Sequence, residues 1–160
     1  SRKDMLRVAL LLLVVYLSTI QGEDTADQHL KLNTIKNIVA CKQEHNARRE
    51  DYDAVRNSKT PNTQEGKCFL ACLFNKFQVT EGGKYSVASF KKRVAELYKD
   101  EEDKLTKANQ MVDNCANTLR QERVSDKCEY AVEILECMAS YSSKVEVIKD
   151  LLKYQKVKNS

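Results

Sequence analysis

Cys68-Phe69-Leu70-Ala71-Cys72-Leu73-Phe74 is one helix carrying two cysteines on the same face, because residues four apart are neighbours on a helix surface. Their side chains run parallel, so each is expected to reach a different partner. Leu70, Phe74 and Phe77 form a stripe about half a turn away from them. One face is therefore tied to neighbouring helices, and the other, aromatic and aliphatic, looks into the interior. The bland reading of that second face is ordinary core. The case for a cavity rests on the whole arrangement of cross-links around it.

A second stretch, Cys128-Glu129-Tyr130-Ala131-Val132-Glu133-Ile134-Leu135-Glu136-Cys137, also carries two cysteines. Nine residues on a helix put them about half a turn out of phase and ~13 Å apart along the axis, too far to bridge. This helix is apolar around much of its circumference, as a central, buried helix is. It is pinned on both sides. With Cys41 and Cys115 the cysteines number six, which allow fifteen pairings. Excluding Cys68–Cys72 and Cys128–Cys137 leaves ten, and geometry alone goes no further. Zinc would want close Cys/His pairs, and His29 and His45 sit near no such cluster.

The N-terminus fixes the compartment. Met5 and Arg7 precede the apolar run Val8–Leu17, and small and polar residues follow as far as Gly22. That run is too short for a bilayer, which needs ~20 apolar residues, and fits a secretory leader. The leader is expected to start at Met5 within residues 1–22, with cleavage near Gly22/Glu23. A membrane anchor is the competing reading, and no stable membrane insertion is expected. Residues 23–160 then form a single secreted, extracellular domain. Losing Arg2, Lys3, Arg7 and Asp4 leaves 24 basic against 22 acidic residues, a net charge of +2. That balance does not suit a nucleic-acid binder. Six cysteines in a short secreted chain read as a disulfide framework.

Gly (4) and Pro (1) are rare, so helices dominate, with no strand-like alternation. The spacing predicts a first helix from a capping box at Thr25 to about His45, with Leu32, Ile35, Ile38 and Val39 on one face. A short helix follows over 50–57, with Tyr52 and Val55 inward. The third spans 63–79, with Pro61 at its first turn and Gly82-Gly83 stopping it. Ser86 caps a fourth. Asp100 starts a fifth, which carries Leu105, Met111, Val112 and Leu119. Ser125 caps a sixth over 126–141. A capping box at Ser143 opens a tail helix over 143–157, with Val145, Ile148, Leu151 and Leu152 on one arc and Lys149, Asp150, Lys153 and Lys156 opposite. The fold class is all-α: six short helices around an apolar cavity, plus an extra C-terminal helix. Three disulfides at ~2–4 kcal/mol each could hold open a void of a few hundred Å³, which gives up ~24 cal/mol per Å³.

The gaps between successive cysteines are 26, 3, 42, 12 and 8 residues. Together with the two quoted stretches, this series resembles the six-cysteine insect odorant-binding proteins, the pheromone and general odorant-binding family. The resemblance covers about 27–141. It implies three interlocked disulfides, Cys41–Cys72, Cys68–Cys128 and Cys115–Cys137. It implies six helices around a pocket with Val55, Leu70, Phe74, Val112, Ile134 and Met138 at its wall. Helix faces add Ile35, Ile38, Phe77, Met111 and Tyr141. The implied partner is a small apolar ligand, with a membrane odorant receptor only indirectly involved, no cofactor, and a monomer or weak homodimer. Two departures stand out: the mild basicity, and the 23 residues after Cys137. That tail could lid the pocket, pack outside it or mediate dimerisation.

Chemistry is set aside on the same residues. Two histidines and no nucleophile-elbow glycines leave no acyl-transfer site. Gly82-Gly83 is no phosphate loop, the close cysteine pair is not Cys-x-x-Cys, and Asp100–Asp103 lacks calcium-loop spacing. Two rivals to the carrier remain. A salivary or haemolymph scavenger of biogenic amines or lipids on the same scaffold would need inward carboxylates such as Glu133 or Glu136. A solid-cored helical interaction protein would show an apolar tail surface.

Overall fold

The computed structural model describes residues 1–119 and 125–153, and within these the side chains of 18–27 are not described. In order, α1 spans Arg2–Glu44, α2 Arg49–Arg56 and α3 Gln64–Lys76. Two short strands follow, β1 (Thr80–Glu81) and β2 (Lys84–Tyr85). Then come α4 (Val87–Leu97), α5 (Glu102–Thr118), α6 (Lys127–Ala139) and α7 (Val147–Leu152). The disulfides are Cys41–Cys72, Cys68–Cys128 and Cys115–Cys137, with Cα separations of 5.6, 4.5 and 5.9 Å. They tie α1 to α3, α3 to α6 and α6 to α5.

The first helix starts earlier than its sequence suggests. It is continuous from Arg2 and does not open at Thr25. The apolar run is made of helix-tolerant residues, and Gly22 alone costs only ~1 kcal/mol in a helix. The large apolar side chains from Met5 to Leu17 remain 55–74% exposed, so this stretch adds little to the core. Nearer the body, Thr34, Ile38 and Cys41 are buried, Ile35 is half-buried, and Leu32 and Val39 are exposed. The apolar face expected through Leu32 and Val39 is thus rotated. The Cys41–Cys72 bond sets which side of α1 meets α3.

A polar relay joins α2 to α3. The buried Asp51 carboxylate accepts from the Arg48 N–H at 2.9 Å and from the Thr63 hydroxyl at 2.7 Å. Thr63 in turn caps α3 by accepting from the Gly66 N–H at 2.9 Å. Pro61 therefore lies in the loop ahead of the cap, not in the first turn as predicted. The third helix also stops short of Val79. It ends at Phe77, and Gln78 takes a left-handed φ of 62°. The residues beyond form an antiparallel hairpin pairing Thr80 with Tyr85 and Glu81 with Lys84. Gly82 and Gly83, at φ 59° and 84°, make its turn, as a two-residue hairpin loop requires. Four paired residues are too few to show strand-like alternation, so this hairpin left no periodic signal in an otherwise all-helical fold.

Helix starts shift by small, explicable amounts. Ser86 caps α4 as predicted, accepting from the Ser89 N–H at 3.4 Å. Asp126, not Ser125, caps α6, its carboxylate accepting from the Cys128 and Glu129 N–H groups at 2.8 and 3.2 Å. Glu101 precedes α5, one residue later than expected. The capping box at Ser143 does not form. Lys144 and Val145 both donate to the Tyr141 carbonyl, so the chain turns once more after α6 before α7 begins at Val147. The remainder of the predicted tail helix lies outside the described residues. Tyr130, Ala131, Val132, Ile134, Leu135 and Met138 bury most of the circumference of α6, and α3 packs along it.

Gly66 marks the tightest approach in this framework. A Cβ there would lie 2.4 Å from Asp51 Oδ1 and 2.6 Å from the Pro61 Cβ. Gly66→Ala should therefore destabilise the fold by about 1–3 kcal/mol through overpacking. Chemical denaturation of the oxidised protein measures this, and an unchanged midpoint would contradict it.

Candidate ligand-binding site

The stripe on α3 faces an apolar groove. Val55 of α2 forms one side, and Leu70, Leu73, Phe74 and Phe77 form the floor. The groove is occupied by the chain itself. Ile148, Leu151 and Leu152 of α7 lie in it, each at most 5% exposed. The space left between these side chains is about 10 Å³, no more than one water molecule would need. Of the expected apolar arc, Ile148, Leu151 and Leu152 of α7 enter the groove, while Val145 lies ahead of the helix.

The other flank of α7 meets α4. Tyr98, the residue that ends α4, is 1% exposed, and its hydroxyl donates to Asp150 Oδ2 at 2.8 Å. Asp150 is half-buried, so its predicted place on the solvated face is corrected. Burial raises the Tyr98 pKa well above its ordinary 10.0, and the hydrogen bond to Asp150 adds to this. Lys104 sits 5.7 Å from the centroid of the Tyr98 ring and pairs with Glu101. Tyr98 drew no attention in the sequence, because nothing local marks a helix-ending tyrosine as a polar anchor.

The predicted pocket residues divide. Val55, Leu70, Phe74 and Phe77 line the groove. Ile38, Met111, Val112, Ile134 and Met138 are buried, at 0–4% exposure, in the continuous core outside the groove lining. Ile35 is half-buried on α1. Tyr141 lies elsewhere, in a polar cleft of about 460 Å³ with Glu133 and Glu136. Both glutamates are exposed. They do not enter the apolar groove, as an amine scavenger's carboxylates would. Leu73 was missed, although it lies in the quoted stretch.

Other polar groups sit deep in the fold. Tyr85 donates to the Val112 carbonyl at 3.0 Å and packs edge-on against Phe90. The hydroxyls of Tyr52, Thr80 and Tyr130 are buried without a hydrogen-bond partner among the described residues. Glu44, His45 and Cys72 bring donor atoms within 4.8 Å of one another. The Cys72 sulfur is held in a disulfide, so it supplies no thiolate to a metal.

The chain matches the model of the PBP/GOBP family over residues 23–141 and belongs to that family. As a member, it is a carrier of small hydrophobic ligands. No curated protein matches it by sequence. Among solved structures it is similar to odorant-binding protein dmelOBP28a from Drosophila melanogaster. That match has 22% identity and a TM-score of 0.58, and covers 71% of this chain and 92% of that one. It is also similar to a fatty acid binding protein, OBP56a, from the oral disk of the blowfly Phormia regina. Here the identity is 19% and the TM-score 0.51, with coverage of 71% and 91%. The fold is theirs. The family match ends at Tyr141, ahead of α7.

Burial keeps the Tyr52, Tyr85, Tyr98 and Tyr130 hydroxyls protonated past their ordinary pKa of 10.0. With folded values above the unfolded one, this contribution to stability is complete below pH 10 and falls as pH rises beyond it. Tyrosinate absorbance during an alkaline titration should show these four ionising late, for Tyr85 and Tyr98 only with unfolding. Their ionisation near pH 10 in a still-folded protein would contradict the burial described.

Proposed function

We propose that the protein is an extracellular, non-enzymatic carrier that holds a volatile or lipid-like molecule in the groove between α2 and α3, with α7 as a displaceable occupant. The observation that carries this reading is the groove itself. Its lining is apolar, and three residues of the chain's own tail, Ile148, Leu151 and Leu152, fill it. Ligand and α7 compete for one space, so affinity depends on how firmly α7 docks.

Secretion fits the same picture. The family match begins at residue 23, just after the apolar run whose side chains stand exposed. We take residues 1–22 as a leader removed on export and 23–160 as the working domain. It acts as a monomer or weak homodimer and delivers ligand to a membrane receptor only indirectly. The amine-scavenger reading is not favoured, because the candidate glutamates face solvent. The helical-interaction reading is not favoured either, because the apolar arc of α7 is buried and offers no surface.

Saturable uptake of a naphthylamine dye by the oxidised 23–160 domain, with displacement by fatty alcohols, aldehydes or terpenoids, is the expected result. Leu151→Asp places a charge in the groove and should undock α7, tightening dye binding several-fold. No uptake by either folded, disulfide-intact protein would overturn the carrier reading.

A further inference from the structure

We propose that Tyr98, with Lys104 beside it, is the head-group anchor of this site and selects long apolar ligands ending in a carboxylate. This rests on the reading of α7 as a displaceable occupant. It adds the ligand's chemistry, which can be read from what α7 now supplies.

The helix α7 makes two kinds of contact. Ile148, Leu151 and Leu152 lie in the apolar groove. Asp150 is two residues on from Ile148, about 200° around the helix, and so meets the opposite wall. There its carboxylate accepts the Tyr98 hydroxyl proton at 2.8 Å. A ligand that takes the place of α7 uncovers both walls at once. A plain hydrocarbon would cover the groove but leave the buried Tyr98 donor unpaired, which is disfavoured. A ligand carrying an oxygen acceptor satisfies both.

Charge decides which acceptor. Lys104 is close enough to Asp150 for their charges to attract, and its ammonium lies over the Tyr98 ring. Glu101 and Glu146 also face Tyr98. Each has its own cation, Lys104 for Glu101 and Lys149 for Glu146. Asp150 has no ion pair among the described residues, so its carboxylate leans on Tyr98 and the field of Lys104. A ligand carboxylate replaces it like for like, and an ester or alcohol does not. The two walls stand a helix breadth apart, about 10 Å. The ligand must therefore be a chain of medium length or longer.

The test is displacement of the same dye from the oxidised 23–160 domain by dodecanoate, methyl dodecanoate and 1-dodecanol at neutral pH. Dodecanoate should bind about tenfold tighter than the ester, as a charge-assisted hydrogen bond allows. Tyr98→Phe breaks the same hydrogen bond to α7, so the ester should bind at least as well as before and report that the variant is folded, while the preference for dodecanoate should fall from about tenfold to less than about twofold. Asp150→Asn keeps the anchor while loosening α7. It should tighten all three ligands and preserve the preference for the acid. Equal binding of acid and ester by the unmodified protein would overturn the anchor and leave the carrier standing. So would loss of the acid preference in Asp150→Asn, or its full retention in Tyr98→Phe. Failure of all three ligands to bind would overturn both.

Discussion

Cys68 and Cys72 fix α3 to two different neighbours, and the rest of the molecule is arranged around that constraint. Cys72 holds α1, Cys68 holds α6, and α6 is held to α5 through Cys137 and Cys115. Four helices thus form one covalent unit. The helices without a cross-link are α2, α4 and α7; α2 and α7 line the apolar groove above the α3 floor, and α4 meets α7. One wall of the site is covalently rigid, while the other walls are held only by packing and a few polar contacts. Each disulfide constrains the unfolded chain by roughly 2–4 kcal/mol, so stability concentrates away from the groove. That is the usual distribution where a region must open locally.

The docking of α7 is finely balanced for the same reason. Val147, Ile148, Leu151 and Leu152 are each at most 5% exposed. Burying four such side chains contributes about 6–12 kcal/mol. Ordering the backbone of six residues costs about the same. The balance then rests on local contacts such as the Tyr98–Asp150 hydrogen bond, which contributes roughly 1.5–3 kcal/mol as one to a charged group. A ligand need therefore supply only a modest surplus to take the place of α7. A closed apo form and a ligand-bound form are compatible with one fold, and no cross-linked helix need move between them.

The cysteines made the fold legible before any coordinates. Their spacing and the two stretches around them pointed to the helices and to the apolar face of α3, and the family resemblance pointed to the pairing. What escaped sequence reading has physical causes. Asp126 won the cap of α6 over Ser125 because its carboxylate reaches two N–H groups. The hairpin at Gly82-Gly83 is too short to leave a periodic signature. The rotation of α1 was set by a bond partner far away in sequence, not by its own apolar pattern. Asp150 looked like part of a solvated face, because helical periodicity describes one helix at a time and α7 touches two walls. The groove was half legible: Val55, Leu70, Phe74 and Phe77 lie in it, while Met111, Val112, Ile134 and Met138 lie in the adjoining core.

The central claim is that ligand and α7 share one space. A crystal structure of the oxidised 23–160 domain with a long-chain carboxylate bound tests it most directly. The account predicts hydrocarbon lying against Leu70 and Phe74, the carboxylate at the Tyr98 hydroxyl, and α7 out of the groove. A ligand bound elsewhere, with Ile148, Leu151 and Leu152 still seated and Asp150 still accepting from Tyr98, would contradict it.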